Sequence, residues 1–412
     1  MKRNFVLLSL MVVCMVGFSL PPVRAQQEQT VQDQVRESPG NETPRFHRMG
    51  KNAIPHQYIV VFDVDAAGTP SDFVVTTRKI NKLTAAFGGV PTNIYTHAIN
   101  GYSARMSEDE ALRLSQDPAV KYVEEDSIIQ ANTTQSNPPW GLDRIGQRDL
   151  PLNQSYSFTT TGAGVNVYII DTGIRTTHQQ FGGRASVGFD SVGDGRNGID
   201  CNGHGTHVSG TVGGSTFGVA KGVRLFAVRV LDCSGSGSNS GVIAGVDWVT
   251  ANHVSPAVAN MSLGGPVSDT LDTAVRNSIA SGVTYCVAAG NSNADASTNS
   301  PARVAEAITV GSTTMSDARS SFSNFGAGVD IFAPGSSILS SWFSSNTATA
   351  TLSGTSMASP HATGVAARIL QGNPSASPAT VRNEMVNTAT TNRLSGLPSG
   401  TANRLLFRSS AN

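Results

Sequence analysis

The sequence predicts an α/β protein, a parallel sheet with helices on both faces, preceded by a small ferredoxin-like α+β domain. Three observations carry that prediction. Beyond Trp140, near-continuous apolar runs of strand length alternate with helical segments, as expected for parallel strands buried on both faces. Before Gln130, shorter runs read strand, helix, strand, strand, helix, strand. Charged residues make up only 14% of the 412, and the formal net charge is zero with no Lys/Arg cluster. Such a balance argues for a compact, loop-rich globule and against nucleic acid or an anionic membrane surface as partner.

The N-terminus combines Met1-Lys2-Arg3, an apolar run from Phe5 to about Leu20, and Val23-Arg24-Ala25 before Gln26. This is the pattern of a secretory signal over residues 1–25, and it predicts a secreted, extracellular protein. The run is shorter than the ~20 residues that a spanning helix needs, so no membrane anchor is expected. Residues 26–52 are rich in Gln, Glu, Pro and Asn and read as a flexible lead.

The small domain, 53–132, starts with a strand from Tyr58 to Phe62 and a helix from about Pro70 to Phe87. Two strands then meet around Asn100-Gly101, a hairpin signal because both residues tolerate positive φ. Ser107 with Glu110 three residues on is a capping box for the second helix, and Val120 to Glu124 closes the unit.

The large domain, 133–412, has its strands at Val165 to Ile170, Val223 to Leu231, Ala257 to Met261, Val283 to Ala289 and Ala307 to Val310. In such sheets functional residues collect at the carboxyl ends of the strands. Outside the signal the chain has three cysteines: Cys201 and Cys233 suit a disulfide in an oxidising compartment, and Cys286, in an apolar run, reads as a buried, inert thiol.

Four polar positions stand out against this frame. Asp171-Thr172-Gly173 ends the first strand, placing a carboxylate at the sheet edge, where a lone Asp is otherwise a turn or cap former. Gly203-His204-Gly205-Thr206-His207 leaves the first imidazole unobstructed; the H-E-x-x-H pattern of zinc proteases is absent, and His207 is read as structural. Gly354-Thr355-Ser356-Met357-Ala358 opens a helix of small residues, with Pro360 placed in its first turn, so that Ser356 lies beside free backbone N–H groups. Asn291, after Ala288-Ala289-Gly290, ends another strand with a side-chain amide suited to an oxyanion. Each has a bland reading alone. The order Asp, His, Asn, Ser along one sheet points instead to nucleophilic catalysis.

The three blocks around Asp171, His204 and Ser356 resemble the signatures of the subtilisin-like serine proteases, and Trp140-Gly141-Leu142-Asp143 with Asp200-Cys201-Asn202-Gly203 resembles the proteinase K branch. The resemblance implies that Ser356 is the nucleophile, His204 the base, Asp171 its orienting carboxylate and Asn291 an oxyanion donor. It implies that a peptide pairs as an added strand between Gly235-Ser236-Gly237 and Ser262-Leu263-Gly264, with Ala289 and Gly290 in the first specificity pocket. No acidic residue occurs in these segments, so broad action on protein and peptide substrates with apolar or aromatic preference is expected. It further implies that residues 53–132 are an inhibitory propeptide, removed near Asn132-Thr133 in a protein expected to be a monomer. Structural calcium (Ca2+) is implied at Asp330 and the carbonyls of Ala305 and Ala307, with no catalytic metal; Asp194 and Asp200 read as a solvated loop. The alternative is a catalytically silent peptide-binding module.

Overall fold

The structure, a computed structural model, describes residues 45–50, 53–63, 72–128 and 133–409. The signal expected over 1–25 and most of the expected lead lie outside the described residues. The chain divides into two units, 1–129 and 130–412.

The first unit contains β1 (Phe46–His47), β2 (Ala53–Phe62), α1 (Phe73–Phe87), β3 (Val90–Tyr95), β4 (Gly101–Arg105), α2 (Glu108–Leu114) and β5 (Val120–Ser127). Its sheet runs β1-β5-β2-β4-β3, the predicted ferredoxin-like order with one strand added at the edge. That added strand corrects the reading of 26–52 as wholly flexible, because Phe46 and His47 pair in parallel with Val123 and Glu124. Tyr58, Val60, Phe62, Ile80, Leu83, Tyr102, Leu114 and Val123 form the core. Ser107 and Glu110 make the capping box as expected. Asn100-Gly101 acts differently from its expectation, since neither residue has positive φ. Gly101 is required for space instead: a Cβ there would lie 2.0 Å from the Val60 carbonyl oxygen.

The second unit opens with the antiparallel pair β6 (Thr133–Ser136) and β7 (Ser155–Phe158), with α3 (Trp140–Ile145) between them. There follow β8 (Asn166–Asp171), β9 (Ala185–Asp190), α4 (His204–Gly213), β10 (Arg224–Arg229), α5 (Asn239–Asn252), β11 (Ala257–Met261), β12 (Gly265–Pro266), α6 (Asp269–Ala280) and β13 (Thr284–Ala288). The chain continues through β14 (Asn299–Ser300), β15 (Ile308–Thr313), β16 (Ile331–Pro334), the hairpin β17 (Ile338–Ser341) and β18 (Thr349–Leu352), α7 (Thr355–Gly372), α8 (Pro378–Thr388), β19 (Thr390–Thr391) and β20 (Arg404–Leu405).

Nine of these strands form one sheet in the order β19-β20-β16-β15-β13-β11-β8-β10-β9, parallel except for the β19–β20 pair. Strands β8, β11 and β13 are buried along their whole length, which is why their sequences are runs of Val, Ile and Ala without polar alternation. One face packs on α4, α7 and α8 through residues such as Val208, Val212, Val365, Ile369 and Met385. The other packs on α5 and α6 through Val242, Val246, Val249, Leu271 and Val275. Strand β8 sits between β10 and β11: the chain first goes to β9 and β10 on one side, then crosses to β11 and proceeds outward through β13, β15 and β16 on the other. That is a topological switch point, where the carboxyl ends of such sheets leave a crevice.

Candidate active site

Asp171 is the last residue of β8 and is fully buried. Its Oδ1 accepts the Thr172 N–H at 2.7 Å. His204 is the first residue of α4, and its Nδ1 lies 2.8 and 3.0 Å from the two Asp171 carboxylate oxygens. With Nδ1–H donating there, the neutral ring presents Nε2 as an acceptor, the tautomer a base requires. Burial pulls the imidazolium down, but the charge and hydrogen bond of Asp171 and the charge of Asp200 outweigh it, so the His204 pKa is raised. The close approach depends on Gly205: a Cβ there would lie 2.2 Å from the Gly173 carbonyl oxygen.

Ser356 is the second residue of α7. Pro360 lies in the second turn of this helix rather than in the first, and the difference is informative. Proline has no N–H to give the carbonyl four residues back, which is that of Ser356. The Ser356 carbonyl instead accepts the Ser262 hydroxyl at 2.8 Å, while the Ser356 hydroxyl donates to the Ser262 carbonyl at 3.1 Å. The end of β11 and helix α7 are thereby clasped at Ser356.

Asn291 accepts the Thr355 N–H and the Thr355 hydroxyl on Oδ1, both at 2.9 Å, which directs the opposite end of its amide outward. A Cβ placed on Gly354 would lie 3.5 Å from Asn291 Nδ2 and 3.6 Å from Ser356 N. Two N–H donors therefore converge on one small space beside the serine, left empty because residue 354 is glycine.

A cleft of about 640 Å³ extends from His204 between two walls, Ser234 to Ser238 on one side and Ser262 to Pro266 on the other, with Leu231, Val242, Leu271 and Ser300 also lining it. No acidic residue is among the lining residues. Gly235, Ser236, Gly237, Ser262, Leu263 and Gly264 all line this cleft. Ala289 and Gly290 do not line this cleft: Ala289 is fully buried with its carbonyl accepting Asn324, and Gly290 N–H donates to the Thr355 hydroxyl. Cys201 and Cys233 are joined by a disulfide, and Cys286 is buried with its thiol pKa pushed up to about 12 by burial. The bridge ties the lead into α4 to one cleft wall, seconded by Asn202, whose amide donates to the Cys233 carbonyl at 3.1 Å.

Asp330 carries the calcium expectation. It is buried, accepts the Thr309 N–H on Oδ2 at 2.9 Å, and pairs with Arg382 through Oδ1. Burial raises its pKa more than these partners lower it. Hard oxygen donors suit calcium, but the only carboxylate of this set already faces a guanidinium, so the fit is partial. Among the described residues the one other cluster of metal-ligating groups is Asp194 with Cys201 and Cys233, whose sulfurs are committed to the disulfide. The loop expected to be solvated is so over residues 193–197, Asp194 included, but not at Asp200. Asp200 is buried, and Asp194 pairs with the buried Arg229, which holds its carboxyl down to about 2.

Sequence reasoning passed over Thr355, Asp200 and Asn260. The last sits fully buried in β11 and accepts the hydroxyls of Ser359 and Thr363 on α7 while its amide donates to Ser262. One polar residue inside the apolar run Ala257-Val258-Ala259-Asn260-Met261 was the available signal.

Comparison with known proteins agrees with this geometry. The subtilase family profile matches residues 162–404, and that of the peptidase inhibitor I9 matches 57–132. The chain belongs to the subtilase family. An extracellular serine proteinase of Thermus sp. strain Rt41A is 50% identical over 89% of this chain and 92% of its own length. The alkaline serine exoprotease A of Vibrio alginolyticus is also 50% identical, over 86% of this chain and 68% of its own length. The crystal structure of a cold-adapted subtilisin-like serine proteinase superposes with a TM-score of 0.65 at 55% identity, covering 66% of this chain and 98% of that one. This subtilase is accordingly a serine endopeptidase of the subtilisin-like type, and its relatives include enzymes named as extracellular, in line with the expected secretion. Among the described residues no helix is long and apolar enough to cross a membrane.

Proposed function

We propose that this subtilase is made as a zymogen, removes its own propeptide near Asn132-Thr133, and then hydrolyses extended peptide segments of extracellular proteins with broad, apolar or aromatic preference. The observation that carries the reading is the convergence of three devices at one sheet edge: the Asp171–His204 pair, Ser356 at a helix start, and two N–H donors beside Gly354. In the proposed reaction His204 Nε2 takes the Ser356 proton as Oγ attacks the substrate carbonyl carbon. The negative charge formed on the carbonyl oxygen is held by Ser356 N–H and Asn291 Nδ2, and Asp171 stabilises the imidazolium. His204 then protonates the leaving amine, and water repeats the sequence on the acyl-enzyme.

The lack of acidic lining residues supports apolar or neutral side chains in the cleft, and walls of Gly and Ser leave main chain free to pair with a peptide strand. The I9 match over 57–132 supports an intramolecular inhibitor. Structural calcium at Ala305, Ala307 and Asp330 belongs to the proposal, with Arg382 releasing Asp330 on binding; a rise in Tm of the Ser356→Ala protein with added calcium would bear it out.

The test of the main proposal is expression of the full chain beside its Ser356→Ala variant, with intact mass and casein hydrolysis recorded for both. Wild type is expected to lose the residues before about Thr133 and to digest casein, the variant to stay full-length and inert. A folded, mature wild type as inert as the variant would overturn the reading in favour of a silent peptide-binding module. Because the His204 pKa is raised and only the neutral ring acts as base, kcat/KM is expected to fall as pH drops through a midpoint above 6.5.

A further inference from the structure

We infer that Asp200 is a positioning residue for the Asp171–His204 pair, a buried carboxylate that knots the loop after β8 to the first turn of α4. Asp200 is only 5% exposed. Its Oδ1 accepts the Thr172 hydroxyl, the Asn202 N–H and the Gly203 N–H, each at 2.9 Å. Its Oδ2 accepts the N–H and the hydroxyl of Thr206, at 3.0 and 2.5 Å. Five donors thus meet one side chain.

The donors come from both sides of the catalytic pair. Thr172 is bonded in sequence to Asp171, and its hydroxyl, while donating to Asp200, accepts the Gly205 N–H at 2.9 Å. Gly203 and Gly205 flank His204, and Thr206 is two residues beyond it. The Thr206 hydroxyl in turn accepts the Arg175 N–H at 3.0 Å, which brings in the chain that follows Asp171-Thr172-Gly173. Every route from Asp200 therefore ends within a few residues of Asp171 or of His204. The arrangement also solves a local problem. Gly203 provides α4 with no side-chain cap, and a helix start leaves N–H groups that need acceptors. Asp200 accepts the Thr206 N–H and holds Thr172, whose hydroxyl accepts that of Gly205, while Asn202 accepts that of His204 at 3.2 Å, so position 203 stays glycine and the imidazole stays clear.

Geometry is one half of the role and charge is the other. The ionisable groups acting on the His204 ring are Asp171 from β8, Asp200 from the loop before α4, and His207 from the next turn of α4. Asp171 and Asp200 both favour the imidazolium that forms when Ser356 gives up its proton, while His207, held neutral by burial, adds no charge. Asp200 acts through His204 and does not line the cleft.

This inference rests on the proteolytic reading for its consequence, but its test does not need turnover. The His204 imidazole titration is followed by NMR in the full chain in a Ser356→Ala background, with and without Asp200→Asn. Alongside, kcat and KM on a peptide anilide are measured for mature Asp200→Asn and Thr172→Val, with enzyme concentration set by active-site titration. Asp200→Asn is expected to shift the His204 midpoint to lower pH and to lower kcat by about tenfold or more, with KM changed by less than about twofold. Thr172→Val keeps the charge, so it is expected to leave the midpoint in place and lower kcat several-fold.

An unmoved midpoint in Asp200→Asn, whatever happens to kcat, reduces Asp200 to a folding element and overturns the inference. A loss carried by KM alone does the same. If Asp200→Asn does not fold, Thr172→Val decides: wild-type kcat sinks the idea, and a reduced kcat at constant KM upholds it. An inert wild type with a shifted midpoint would count against the proposed function and leave Asp200 in its positioning role.

Discussion

Two kinds of helix start coexist in the peptidase unit. Helices α5, α6 and α8 begin after Ser238, Ser268 and Ser377, each of whose hydroxyls accepts an N–H of its own first turn. Helices α4 and α7, which carry His204 and Ser356, begin after Gly203 and Gly354 with no side-chain cap. Their first N–H groups are met from outside the helix: by Asn202, Thr172 and Asp200 for α4, and by Asn291, 64 residues away in sequence, for the Thr355 N–H of α7. A locally capped helix is closed by its own sequence. An open one keeps its positive end available to chemistry and depends on the tertiary fold for acceptors.

The sharpest way to break that comparison is at α7. Asn291→Ala removes both the remote acceptor and the proposed oxyanion donor, and kcat is expected to fall by about 10²–10³ with KM nearly unchanged, a magnitude known from subtilisin, a member of this same family. A loss below tenfold would mean that Asn291 only caps. At α4 the lead-in is pinned by the Cys201–Cys233 bridge, which closes a separation of 32 residues. Replacing both by Ser in the Ser356→Ala background is expected to cost roughly 3–4 kcal/mol by the chain-entropy model, read as a shift of the denaturant midpoint.

Both open helices also carry a buried histidine that stays neutral. His207 on α4 faces the carbonyls of Ile338 and Ala350, and His361 on α7 faces that of Met357. Burial lowers each pKa to about 4. An unfolded chain binds protons at these groups near pH 6.5, so their stabilising contribution is complete above that pH and is lost as pH falls toward 4. Tm of the Ser356→Ala protein is expected to drop over this window, and His361→Gln to flatten the drop. The smallest effect belongs to the closed class. Ser377→Ala is expected to cost about 1 kcal/mol of stability and to leave kcat unchanged; a change in kcat would blur the distinction between the two kinds of start.

The chemistry was legible because it sits in short, local blocks. A strand running into Asp171-Thr172-Gly173, a histidine between two glycines, and Ser356 ahead of a small-residue helix are each visible within a few positions. So were the parallel sheet, from the buried runs of β8, β11 and β13, and the capping box at Ser107. What stayed hidden depends on distant partners. Nothing near Asp200 announces that Thr172 and Thr206 will both turn toward it, and nothing near Asp330 announces Arg382. Phe46 and His47 look like lead until β5 offers them an edge. Pro360 was placed one turn too early, and the consequence of its true position, a free Ser356 carbonyl taken by Ser262, needs β11 alongside α7.

By itself the sequence determined which class of sheet the chain forms and which residues stand at its carboxyl ends as candidates for the chemistry, because strand and helix periodicity, glycine at crowded positions and chain order are properties of neighbours along the chain. The tertiary structure decided how those residues are held. Buried carboxylates, amides and unpaired helix-end N–H groups must each find partners once water is gone, and those partners are chosen by proximity in the fold, across separations that no local pattern records.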